Sequence, residues 1–150
     1  MRLRAVFVDG VTFLLWAFIC FIYLGIYGFN ILLSSGGVVF GLVYGVVLAL
    51  KHIKNIEKNG EFRITRKILA FMLLAIIIIV PTALYLLFSL GLEAGIQMLN
   101  FACPIIPAFY AARMILYLGW ERKHARRIFF EMPYGLVLTR VYAVPRTESR

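Results

Sequence analysis

The sequence predicts an all-α membrane protein, a bundle of four transmembrane helices with both termini cytoplasmic and a short basic tail. Three observations predict it. Lys, Arg, Asp, Glu and His are absent from 10–50, from 68–92 and from 94–112. A spanning helix needs roughly 20 apolar residues, so the first run holds two spans and the others one each. Hydrophobic residues make up 63% of the chain and mean hydropathy is +0.90, whereas soluble domains are about 45–50% apolar. The charges that remain flank the apolar runs, and they do so unevenly.

The first span is expected over 6–29. Arg2 and Arg4 precede it as a signal peptide's basic residues would, but the apolar stretch is too long for a cleaved segment. The second is expected over 31–52, after a turn within 30–37, where Asn30, Ser34, Ser35, Gly36 and Gly37 supply turn chemistry. The third is expected over 68–90 and the fourth over 95–120, with Gly91 and Gly95 bracketing their connection. Between the second and third spans a helical extension is expected to stop at Asn59-Gly60. Residues 1–127 then form the bundle and 128–150 the tail. Two β-prone runs around Pro133-Tyr134-Gly135 fit a hairpin in that tail, with disorder expected only after Pro145.

Basic residues fix the orientation. Arg2 and Arg4, then Lys51, Lys54, Lys58, Arg63, Arg66 and Lys67, then Arg122, Lys123, Arg126 and Arg127 all lie on one side of the four-span arrangement. The turns near 30–37 and 91–95 hold no basic residue. Cytoplasmic loops collect Lys and Arg, which puts both termini and the central loop inside. The formal charge of +9 therefore points to anionic headgroups in the bilayer rather than to nucleic acid.

Within the membrane the most specific pattern is Gly37, Gly41 and Gly45. Residues four apart share a helix face, and glycines there let another helix approach closely. That face is a packing interface, with a partner helix of the same bundle or with another subunit. The first span carries a polar and aromatic stripe, Asp9, Phe13, Trp16, Cys20, Tyr23, Tyr27 and Asn30. The fourth carries Gln97, Asn100, Cys103 or Pro104, Pro107, Tyr110, and Arg113 or Met114. Antiparallel packing in one register sets Tyr27 by Gln97, Tyr23 by Asn100, Cys20 by Cys103, Trp16 by Pro107 and Asp9 by Arg113. Buried polar groups need partners in hydrocarbon, which this register supplies. Asp9 and Arg113 read as a structural ion pair or an interfacial anchor, with an ion or proton relay and a headgroup site as alternatives. Pro81, Pro104 and Pro107 should kink their helices.

Catalytic constellations are sparse. Asp9 is the one aspartate, His52 and His124 follow spans, and Ser34, Ser35 and Ser89 fall at the other side, so no Ser/His/Asp set can assemble. No cofactor or metal is expected: Cys20 and Cys103 form no metal-ligand spacing. The expected role is a non-enzymatic accessory or structural subunit of a membrane complex, or a homo-oligomer packed through the glycine face. The alternative is a small transporter or channel. Its path would run between the first and fourth spans, past Asn30, Ser34, Ser35, Gln97 and Asn100, to an inner gate at Asp9 and Arg113. A lipid-modifying enzyme would need headgroup-coordinating carboxylates on one face, and only Asp9 and Glu121 are candidates.

Overall fold

The computed structural model describes residues 2–63, 85, 89, 91–131 and 140–145. Strand β1 (Arg2–Arg4) leads straight into α1 (Ala5–Tyr27), and a short turn joins α1 to α2 (Ile31–Asn59). Strand β2 (Glu61–Arg63) follows α2. After Gly91 come α3 (Leu92–Ala102), α4 (Ile105–His124), β3 (Arg126–Glu131) and β4 (Arg140–Pro145). Helices α3 and α4 continue one another across Cys103 and Pro104 and together make one span-length unit, Glu93–His124. The described residues thus contain three helices long and apolar enough to cross a membrane, consistent with a lipid-embedded protein.

This corrects the expected fold class. The described residues do not form an all-α bundle of four helices. They form three long helices, one assembled from two segments, and an open antiparallel sheet of order β1-β3-β4-β2. The expected third span, 68–90, lies outside the described residues except for Tyr85 and Ser89, as does Pro81. The hairpin expected around Pro133 also changes. Its arms are β3 and β4, but β1 and β2 pair on their outer edges. Arg-Leu-Arg and Glu-Phe-Arg alternate polar and apolar residues, the period of a strand with one buried face. Three residues of that period are too few to stand out beside a 20-residue apolar run.

The sheet has a sharply divided surface. Leu3 pairs with Phe130, Phe130 with Val141, and Val141 with Phe62, so one apolar row crosses all four strands. From that row Phe130 and Val141, with Phe62 packed against them, join Ala5 of α1, Ala49, Ile53 and Ile56 of α2, and Tyr117 and Trp120 of α4 in a single core. Ala49, Ile53 and Ile56 occupy one stripe of α2. About 20 residues of α2 span the roughly 30 Å of hydrocarbon, and the turns beyond Leu50 carry this stripe to the sheet. The sheet thereby ties together the start of α1, the end of α2 and the end of α4, all on one side.

Helix ends follow from local chemistry. The Asn30 side chain accepts from the Leu33 backbone N–H at 3.2 Å and caps α2. The turn therefore occupies Gly28 to Asn30, and Ser34, Ser35, Gly36 and Gly37 belong to α2 rather than to the turn. Gly60 takes φ +75°, a left-handed cap that ends α2 and returns its N–H to the Ile56 carbonyl. Pro104 lacks the N–H that would carry α3 onward, and the break between α3 and α4 falls there. Both α1 and α2 pack on α4, while α1 and α2 hardly touch each other.

Candidate functional site

The glycine face of α2 lies directly on the backbone of α3 and α4. A Cβ at Gly37 would fall on the Phe101 carbonyl and one at Gly41 on the Ile105 carbonyl. A Cβ at Gly45 would stand 2.5 Å from the Phe109 carbonyl oxygen. Ala108 and Ala112 supply the small side chains opposite Gly41 and Gly45, each 2.9 Å from such a Cβ. Small residues on both helices let the two backbones meet, the means by which helices associate where the hydrophobic effect between them is lost. This face is covered by the chain's own last span.

The opposite side of α4 receives α1. Arg113 Nη2 stands 3.3 Å from Asp9 Oδ1, with both side chains almost wholly buried. Among the described residues neither Asp9 oxygen finds a hydrogen-bond partner, nor do Arg113 Nε and Nη2, so charge holds this pair. Further along, Gly10 faces Met114, and Cys103 lies beside Cys20. The Tyr23 hydroxyl donates to the Ile96 carbonyl at 3.4 Å, the oxygen that also accepts from Asn100 Nδ2. The helix break at Cys103 and Pro104 lies between these contacts and the Arg113 end. Asn100 also serves α2. Its Oδ1 accepts from Asn30 N–H at 3.1 Å, and its carbonyl accepts from Ser34 Oγ at 3.1 Å. Gln97 is exposed.

Arg113 is the joint between bundle and sheet. Its guanidinium lies 5.1 to 5.7 Å from the ring centroids of Phe109, Tyr110, Tyr117 and Phe130. Phe130 belongs to β3, so the aromatic cage is completed by the sheet. Cation–π contacts of this kind contribute about 0.5–2 kcal/mol each when desolvated. Tyr117 continues the chain of contacts, its hydroxyl 2.6 Å from His52 Nδ1 on α2. The His52 ring packs 4.5 Å from Phe62 of β2. Asp9, Arg113, Tyr117 and His52 thus link three helices, and Phe130 and Phe62 link them to two strands.

A second buried charge holds the sheet edge. Glu121, 1% exposed, meets Arg4 Nη2 at 2.5 Å through Oε2 and accepts from Ile128 N–H at 2.8 Å through Oε1. Trp120 Nε1 donates to Glu57 at 2.8 Å, tying α4 to the end of α2. The sequence does not signal the Tyr117–His52 contact, the place of Phe130 beside Arg113 or, beyond opposite charge, the Arg4–Glu121 pair. Arg4 and Glu121 both flank apolar runs, one before the first and one after the last.

These contacts can fasten helices to a sheet and hold charged groups inside the protein. Among the described residues no three His, Cys, Asp or Glu side chains group as metal ligands. No protein-family model, curated protein or solved structure matches the chain.

Proposed function

We propose that the protein is a non-enzymatic, multi-pass membrane subunit that holds a small basic platform at the cytoplasmic face of a larger membrane complex. The observation that carries this reading is the union of three helix ends in one sheet. Buried groups at that junction, Arg113, Asp9, Glu121, Tyr117 and His52, each bond to an element other than their own. Such an arrangement sets the sheet rigidly against the anchor. Lys51, Lys54 and Lys58 of α2 and Arg122 and Lys123 of α4 are exposed beside it. Basic residues near a membrane surface favour anionic headgroups by about 1 kcal/mol each. The same charges, absent from the described far end, support a cytoplasmic position for the sheet under the positive-inside rule.

Assembly through Gly37, Gly41 and Gly45 is no longer part of the proposal, because α3 and α4 occupy that face. The surfaces left for a partner subunit are apolar ridges. On α2 they are Val39, Val43, Val47 and Leu50; on α1, Leu14, Phe18 and Phe21, all more than half exposed. Either ridge suits lipid or a neighbouring helix.

Purification in mild detergent followed by native mass measurement tests the reading. A fixed-stoichiometry assembly with another membrane protein is the expected result; a chain that always emerges alone removes it. Thiol labelling of single cysteines along α1 and α3–α4 separates the transport alternative. A periodic water-accessible face running the length of the helices would replace the accessory role.

A further inference from the structure

At the end of the helices away from the sheet lies an open groove of about 580 Å³, walled by the α1–α2 turn and by α3. Tyr27 and Phe29 contribute rings, Glu93 a carboxylate, and Gln97 and Asn100 amides. We propose that this groove binds an ammonium group, a quaternary or primary amine carried either by a lipid headgroup or by a free small molecule.

Glu93 is the starting point. The described residues include six carboxylates, and five sit at the sheet end in ion pairs. Asp9 meets Arg113, Glu57 meets His124, Glu61 meets Arg63 and Arg140, Glu121 meets Arg4, and Glu131 meets Arg140. Among the described residues Glu93 has no such partner, and the described residues that wall the groove include no Lys, Arg or His. In a chain of net charge +9 this is a local reversal of sign. Its position in the first turn of α3 suits that helix's dipole, which explains why an acid is tolerated but supplies it with no counter-charge.

The rest of the wall favours a cation. The C-terminal end of α1 reaches the groove at Tyr27 and Gly28. The last carbonyls of a helix lack intrahelical donors and carry partial negative charge. Tyr27 and Phe29 are each more than half exposed, and Tyr23 packs against Tyr27 with centroids 5.0 Å apart. Aromatic faces beside a carboxylate are the means by which proteins recognise quaternary ammonium groups. Two of the donors at the wall are engaged: Asn30 N–H is held by Asn100 Oδ1, and Asn100 Nδ2 donates to the Ile96 carbonyl at 3.1 Å. An anion would meet the facing Glu93 carboxylate.

Saturation-transfer NMR of choline on the full chain in phosphatidylglycerol nanodiscs tests the proposal. Its neutral isostere 3,3-dimethylbutan-1-ol and the anion acetate serve as comparison probes. Choline is expected to bind, and the other two are not. Glu93→Gln should weaken choline about fivefold, and Tyr27→Leu about threefold. Both positions are exposed, and an unchanged thermal unfolding midpoint will show that each variant is folded. Repeating the titration with phosphatidylcholine in the nanodisc distinguishes the sources. Competition identifies a lipid headgroup; undiminished binding identifies a free amine. Equal signals from choline and its isostere, an acetate signal, or full binding by Glu93→Gln in a folded protein overturns the proposal.

Discussion

Gly41 faces Ala108 across the α2–α4 seam so closely that a Cβ on the glycine would stand 2.9 Å from the Ala108 methyl. The obstacle behind it is the Ile105 carbonyl, part of the backbone, which cannot rotate aside. Gly41→Ala should therefore push the helices apart at the cost of overpacking, about 1–3 kcal/mol. Gly25→Ala, where an added methyl meets nothing within 4 Å, is the matched control. It should be neutral or slightly stabilising, since Ala is the better helix former. Thermal unfolding of both variants in the same detergent measures the contrast. Equal midpoints would mean that α2 does not rest on α4 here.

Glu121 should control whether the sheet stays docked. Alanine there leaves the Ile128 N–H without its acceptor in a buried setting, a loss of about 1–3 kcal/mol. Arg4 loses its partner as well, which loosens β1. Arg126, exposed at the start of β3, then becomes a better tryptic site. Glu121→Ala should be cut there faster than the native chain, while Glu93→Ala, at the other end, should be cut at the native rate.

The parts of this fold legible in the sequence are those that lipid dictates. Hydrocarbon demands long uncharged runs, and 10–50 and 94–112 are such runs, so α1, α2 and the α3–α4 unit could be placed within a few residues. The sheet was not legible because its edges are three residues long. Leu3 and Phe62 are single apolar residues between charges, and only the fold reveals that they extend one row with Phe130 and Val141. The two polar stripes on α1 and α4 could be seen, as residues three and four apart. Their exact partners could not: Tyr23 bonds the Ile96 backbone carbonyl, and Asn100 also bonds Asn30 and Ser34 of the α2 start. Tyr117 and His52 lie on different spans at positions no spacing relates, so their contact had no linear signal.

Ala125 caps α4 in the left-handed region, at φ +51°. A residue with a Cβ pays roughly 1–2 kcal/mol there, and glycine does not. Glycine's greater freedom in the unfolded chain offsets part of the gain. Ala125→Gly should thus raise stability by about 0.5–1 kcal/mol. Chemical denaturation of the detergent-solubilised protein reads this directly; a loss of stability would show that the cap is not strained.

The Asp9–Arg113 pair makes the sharpest demand. Removing one charge leaves the other buried and unbalanced, which costs about 3–5 kcal/mol in comparable settings. Asp9→Asn strands the guanidinium within its cage of rings, and Arg113→Met strands the carboxylate where no hydrogen bond reaches it. The two losses should differ, because Phe109, Tyr110, Tyr117 and Phe130 still stabilise Arg113 when Asp9 is neutral, whereas no comparable contact remains for Asp9. Arg113→Met is therefore the more damaging single change. The double variant removes both charges, and it should recover part of that loss and be more stable than Arg113→Met alone. A double-mutant cycle on thermal or chemical unfolding supplies the coupling energy. Strict additivity of the two changes would dissolve the pair as a stabilising unit and leave Arg113 anchored by its aromatic cage alone.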